Sequence, residues 1–132
     1  MATTAVVADL VEHNFGVSVP VFPMAYDLIA DDGNQLHRVL VEVACEDEQE
    51  GVIVARLVQT RWTSRGAEQR VYTSAEIDWF AIYEVGSKSI FYVPIHEVEC
   101  MTRITLQTRP TRNNQQTGVR LAEHYLNRPM RM

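Results

Sequence analysis

Cysteine is scarce in this 132-residue chain, which has only Cys45 and Cys100. Two thiols in apolar or strand-like surroundings, with few other ligands nearby, read as lone buried residues and not as a disulfide pair or a zinc site. Neither has the flanking pattern of a nucleophile. Long hydrophobic runs are also missing. No segment approaches the ~18 apolar residues that cross a bilayer. The N-terminus has no basic region, and Asp9 and Glu12 interrupt its apolar run, so no signal peptide is expected. These absences predict a cytoplasmic protein with no membrane partner. Paired metal-ligating histidines are lacking too: His13, His37, His96 and His124 are scattered and read as surface residues. Repeats and low-complexity linkers are absent. One domain over residues 1–132 is expected, large enough to bury a core without staples.

Lysine is nearly missing as well. Lys88 stands alone among eleven arginines. Arginine suits bidentate phosphate contact, although genome composition produces the same bias. The net charge of −5 hides an asymmetry: the first fifty residues hold ten acids and Arg38, whereas residues 103–132 hold six arginines and Glu123. A local anion-binding face is compatible with that polarity. A chain that bound nucleic acid over its whole surface would be basic overall.

What is present reads as strands between helices. Residues 3–15 have helical spacing at Val6, Val7, Leu10, Val11 and Phe15, with Gly16 as the stop. Residues 17–22 predict an edge strand ended by Pro23. Residues 26–30 and 37–45 predict two strands joined by the turn Asp31-Asp32-Gly33-Asn34. A fourth strand spans 52–58. Residues 59–73 show no clear period and read as a long loop. Strands follow at 79–85, 89–95 and 102–107, then a helix over 117–126. The class is α/β (α+β), a central sheet with N- and C-terminal helices.

The hairpin at 26–45 carries the most chemistry. Antiparallel pairing places Asp27 across from residues 38–41. Leu40, Glu42 and Ala44 share one face of their strand, and Val39, Val41 and Val43 the other. An Asp27 on the Leu40/Glu42 side would bring two carboxylates together, and Mg²⁺ takes such oxygens with water and phosphate. One residue of slip would undo this. Equally open are a turn cap or an Arg38 partner for Asp27, and an Arg56 partner for Glu42.

The run Tyr26-Asp27-Leu28-Ile29-Ala30, then Leu36-His37-Arg38-Val39-Leu40-Val41-Glu42, resembles the active-site hairpin of the PD-(D/E)xK nucleases. The similarity is to their homing-endonuclease-like branch, associated with group I introns. It continues through Glu76-Ile77-Asp78-Trp79-Phe80-Ala81-Ile82-Tyr83, Phe91-Tyr92-Val93-Pro94-Ile95 and Asn114–Glu123. The resemblance implies a restriction-endonuclease-like core with a mixed sheet, Asp27 as metal ligand, Mg²⁺ as cofactor, double-stranded DNA as partner and a homo-oligomer. The branch pattern is Tyr-Asp-Leu, a turn, then Arg-Val-Gln-Val-Lys-Thr. Its glutamine corresponds to Leu40 and its lysine to Glu42. The branch's first helix often offers a glutamate to the metal, and this N-terminus has none. The resemblance therefore implies lost or weakened cleavage, unless Glu42 becomes the second ligand and an arginine, Arg38 or one from 61–70, supplies the positive charge.

Outside the hairpin, Arg61, Arg65 and Arg70 interleave with Trp62 and Tyr72, and Arg112 and Asn114 lie in a second polar loop. Arginine with aromatic rings is a nucleic-acid-binding combination, and an exposed loop anchored by Trp62 is the plainer reading. Asp78 reads as a cap or turn residue. Two functions result: a DNA-acting nuclease-fold protein, or a catalytically inactive one that serves as an interaction or assembly subunit.

Overall fold

Eleven consecutive residues, Leu36 to Glu46, form the strand on which the rest of the sheet is assembled. The computed structural model describes residues 2–46, 51–108, 120–127 and 129. In chain order the elements are α1 (Ala2–Glu12), β1 (Gly16–Ser18), β2 (Leu28–Asp31), β3 (Leu36–Glu46), β4 (Val52–Arg56), β5 (Val58–Thr63), β6 (Gly66–Val71), β7 (Trp79–Glu84), β8 (Ser89–Pro94), α2 (Ile95–Val98) and β9 (Arg103–Gln107). A 3-10 turn at Ala122–His124 follows.

β3 pairs antiparallel with β2 at its start and with β4 at its end, and parallel with β7 from Val39 to Ala44. The result is a seven-stranded mixed sheet of β1, β2, β3, β4, β9, β7 and β8. The valine-rich sequence of β3 suits a strand covered on both faces. Val39 is buried with Val6 and Leu10 of α1, together with Leu28, Ala30, Ala81 and Tyr92. Its neighbour Leu40 turns to the opposite core with Ala44, Leu57, Ile77, Phe80 and Ile82. Tyr92 ties α1 to the sheet, its hydroxyl donating to Asp9 Oδ2 at 2.6 Å.

Several local expectations change. α1 ends earlier than Gly16 suggests. Asn14 takes φ 67°, and the Asn14 and Phe15 amides donate to Val11 and Leu10 carbonyls at 3.0 Å. That left-handed stop makes Asn14, and not the glycine, the terminating residue. The strand expected over 17–22 is only Gly16–Ser18, and Val19, Val21 and Phe22 are exposed. The "loop" at 59–73 is the β5–β6 hairpin, a separate two-stranded sheet. Its polar residues conceal the strand period because most of both faces meets solvent. Gly66 at φ 108° makes the turn, a conformation glycine adopts without steric cost. In place of the predicted C-terminal helix, the described residues show the 3-10 turn, flanked by bridges from Leu121 to Gln107 and from Leu126 to Phe91. Pairing of those two leucines with strands overrides the weak helical period.

Cys45 and Cys100 are free and exposed, contrary to the expected burial. Cys45 lies near the end of β3, beyond the residues that α1 covers, and Cys100 sits in a left-handed turn at φ 70°. His37 is the reverse case, 5% exposed and bonded through Nε2 to Asp32 Oδ2 at 2.8 Å. No described helix is long and apolar enough to cross a membrane.

Candidate active site

Asp27 stands one residue before β2. Its amide donates to the Val39 carbonyl at 2.9 Å. Its Oδ2 accepts the Val41 amide at 2.8 Å. The carboxylate thus supplies one more rung of the ladder after β2 has ended. Leu28 pairs with Val39, so the register puts Asp27 opposite Leu40, on the face that also carries Glu42 and Ala44. The two carboxylates therefore share a face, as the alternation required. Asp27 has a structural bond of its own there, which leaves Oδ1 to meet a ligand.

Glu42 is half-buried between Leu40 and Ala44, and pairs with Ile82 of β7. Burial, and then the negative charge of Asp27, push its carboxyl up to about 7. Tyr72, one residue after β6, packs in the core cluster with Leu40 and Ala44, which flank Glu42. It is buried, and its ring meets Phe80 edge-on at 5.9 Å. Burial first, then the charges of Glu42 and Asp27, raise its hydroxyl above the usual tyrosine value.

Among the described residues β3 and β4 pair at Cys45–Val54 and Glu46–Ile53. Toward Val41 they splay, and the opening is a groove of about 490 Å³ lined by Val41, Glu42, Val43, Cys45, Glu46, Val54 and Arg56. Glu42 is thus reachable from outside, with Arg56 on the far wall. Among the described residues Glu42 forms no ion pair.

The other candidate charges are committed elsewhere. Arg38 reaches Asp78 with Nε at 3.0 Å and a terminal nitrogen at 3.0 Å, and the Ala75 and Ser74 carbonyls at 2.6 and 2.9 Å. Asp78 also accepts the Arg38 amide at 2.8 Å. Asp78, read from the sequence as a cap or turn residue, is bonded to Arg38. It fixes the parallel contact between β3 and the segment before β7, and Arg38 is not free to offset charge at Asp27. Arg70 is held by Glu76 at 2.7 and 3.0 Å.

A profile of the PD-(D/E)XK endonuclease family matches residues 1–128. The chain belongs to the PD-(D/E)XK endonuclease family. A solved structure, that of the bacterial homing endonuclease I-Ssp6803I, superposes with a TM-score of 0.78 at 20% identity, over 95% of this chain and 83% of that one. At that identity the likeness establishes the fold, a mixed α+β core around a central mixed sheet. No curated protein matches the chain.

A PD-(D/E)XK protein needs divalent-cation ligands near its hairpin. The described residues contain no group of three or more His, Cys, Asp or Glu side chains suited to a metal. Asp27 and Glu42 make a two-carboxylate set, and a hexacoordinate cation that keeps water and takes phosphate oxygens fits such a set. Burial is the larger cause of the raised Glu42 carboxyl, and a bound cation would relieve the second one, repulsion by Asp27.

Of the other residues singled out in the sequence, Trp62 and Arg65 are exposed on the β5–β6 hairpin, with Arg70 beneath them. Arg61 belongs to β5, and nothing of its side chain is described. Arg112 and Asn114 lie outside the described residues. Tyr72, read with them as a possible stacking residue, is instead packed in the core cluster with Leu40 and Ala44. The alternation Arg70-Val71-Tyr72, exposed then progressively buried, was the available signal for it. Arg56, read from the sequence as a possible partner of Glu42, lines the same groove, and among the described residues the two form no ion pair.

Proposed function

We propose that this protein acts on double-stranded DNA as a homing-endonuclease-like member of its family, with weakened or lost metal-dependent phosphodiester cleavage. One observation carries the reading: a family hairpin presents Asp27 and Glu42 on one face, with Glu42 at the position where the branch pattern has lysine. Asp27 and Glu42 would hold a Mg²⁺ ion, which supplies Lewis-acid activation of phosphate and water. Asp27 would bind through the oxygen not engaged by Val41. Glu42, with a carboxyl near 7, is partly protonated at neutral pH and binds a cation only on losing that proton. No described cation stands beside it to offset charge on a transferring phosphate. Losing one preorganised group of that kind costs about 10²–10³ in rate. Trp62 and Arg65, with Arg61, Arg112 and Asn114, are the proposed DNA-facing residues; Arg70 is not one of them, because Glu76 and Gln59 hold its guanidinium.

The test is binding and cleavage of duplex DNA with Mg²⁺ or Mn²⁺, repeated with Asp27→Ala. Slow cleavage abolished by the substitution supports a weakened enzyme. Salt-sensitive binding without cutting supports a DNA-binding form that has lost catalysis. Neither binding nor cutting rejects the proposal.

A second reading, an assembly subunit, is favoured by one surface. Between β1 and β2, Val19, Val21, Phe22 and Met24 are exposed, Val21 at 95% and Phe22 at 77%. An apolar run of that kind beside an edge strand suits contact with another subunit, and the proposed assembly is a homo-oligomer.

A further inference from the structure

The β5–β6 hairpin has two chemically different faces. Cross-strand partners share a face, and successive pairs alternate. Val58–Val71, Thr60–Gln69 and Trp62–Ala67 therefore set one face, and Gln59–Arg70, Arg61–Glu68 and Thr63–Gly66 the other. The second face is internally neutralised. Arg70 donates to both Glu76 oxygens and to Gln59 Oε1 at 2.9 Å, and the register sets Arg61 opposite Glu68. The first face carries no charge. It presents Trp62, 79% exposed, with Thr60, Ala67 and Gln69 also exposed around it. Arg65 projects from the tip between the strands.

We propose that this hairpin is a groove-reading arm that lies in the major groove of double-stranded DNA, with Thr60, Trp62, Ala67 and Gln69 toward the base edges and Arg65 on a phosphate. The inference rests on the reading of the protein as DNA-acting. Shape supports it first: the major groove, about 12 Å wide, admits a two-stranded ribbon. Six-residue strands give an arm of about 20 Å. Charge supports it next. With Arg70 held by Glu76 and Arg61 set opposite Glu68, Arg65 at the tip is the arm's surplus positive charge on a chain whose net charge is −5. Placement is the third support. The arm springs from Leu57 and Tyr72, which are buried in one cluster with Leu40 and Ala44, the residues that flank Glu42 on its face. The side chains suit the task. A glutamine amide pairs with the N6/N7 edge of adenine, a threonine hydroxyl donates or accepts, and apolar groups meet the thymine methyl. Arg70 is not a phosphate contact, because its fork is already filled.

The test begins with a pool of duplexes randomised at their centres and enriched on the full chain without Mg²⁺. Affinities for the enriched duplex and for the unselected pool are then measured across salt. Gln69→Ala and Trp62→Ala should each reduce the preference for the enriched duplex about 5- to 100-fold, with the salt slope unchanged. Arg65→Ala should weaken both duplexes alike and lower the slope by about 1. Arg70→Ala should leave the slope unchanged. These side chains are exposed, and an unaltered thermal midpoint confirms that each variant folds. A preference unchanged in both Gln69→Ala and Trp62→Ala overturns the arm alone, as does a wild-type chain that binds duplex but enriches no sequence. A wild-type chain that binds no duplex overturns the arm and the DNA-acting reading together.

Discussion

Glu42 is where charge and burial conflict most directly. Its carboxyl has an ordinary value of 4.5 and is pushed up to about 7 in the folded chain. Between those values the folded state holds a proton that the unfolded state has lost. Stability is therefore greatest below about 4.5 for this group and falls as pH rises through about 7, by on the order of 2–3 kcal/mol. Urea unfolding of the metal-free protein at pH 5 and pH 8 should show that loss, and Glu42→Gln should flatten it. Equal stability of the wild type at both values would mean the carboxyl is not buried as described. Glu42→Lys should go further by placing a cation beside Asp27. It also removes one of the two proposed metal ligands, so any metal-dependent cutting, read as nicking of a supercoiled plasmid, should fall by at least about tenfold. Cutting retained at the wild-type rate would show that Glu42 is not a metal ligand.

At the scale of elements, α1 is held to the sheet by a small apolar face and one strong polar contact. Leu10 is fully buried, and Leu10→Ala should cost about 2–5 kcal/mol by leaving a cavity under the helix. Tyr92→Phe should cost about 1–2 kcal/mol through loss of the bond to Asp9. Denaturant midpoints at an unchanged slope would verify both. The β3–β7 contact depends on Arg38 and Asp78. Hydrogen bonds from Arg38 hold the Asp78 carboxyl below its usual range, so this contribution is present at neutral pH and is lost as acid protonates Asp78. Asp78→Ala should cost about 1–3 kcal/mol and should remove part of the acid sensitivity of the unfolding transition.

For the whole molecule, function depends on what the acidic body and the basic arm do together. DNA binding, if it uses the arm, must be local, and its salt dependence should reflect a few phosphate contacts. Self-association should instead depend on the segment between β1 and β2. Phe22→Ser should lower the sedimenting mass if that surface joins subunits, with little effect on the thermal midpoint of the isolated chain, because Phe22 is already 77% exposed. An unchanged mass distribution would place any subunit contact elsewhere.

The register that puts Asp27 on the face of Glu42 came from the structure, whereas the sequence by itself determined the hairpin, its turn and the alternation along each strand. These follow from period-two patterning and turn chemistry, which act over a few residues. It also determined the family, through ordered matches from Tyr26 to the last segment, and the departures at Leu40 and Glu42. Only the tertiary structure decided who partners whom across longer distances. Arg38 could have served Asp27, but the parallel strand β7 brings Asp78 to it. Trp62 and Arg70 looked like one mixed loop, and pairing across β5 and β6 sends them to opposite faces. The raised carboxyl of Glu42 belongs to this second class too, because burial and the approach of Asp27 exist only once β2, β3 and β7 have come together.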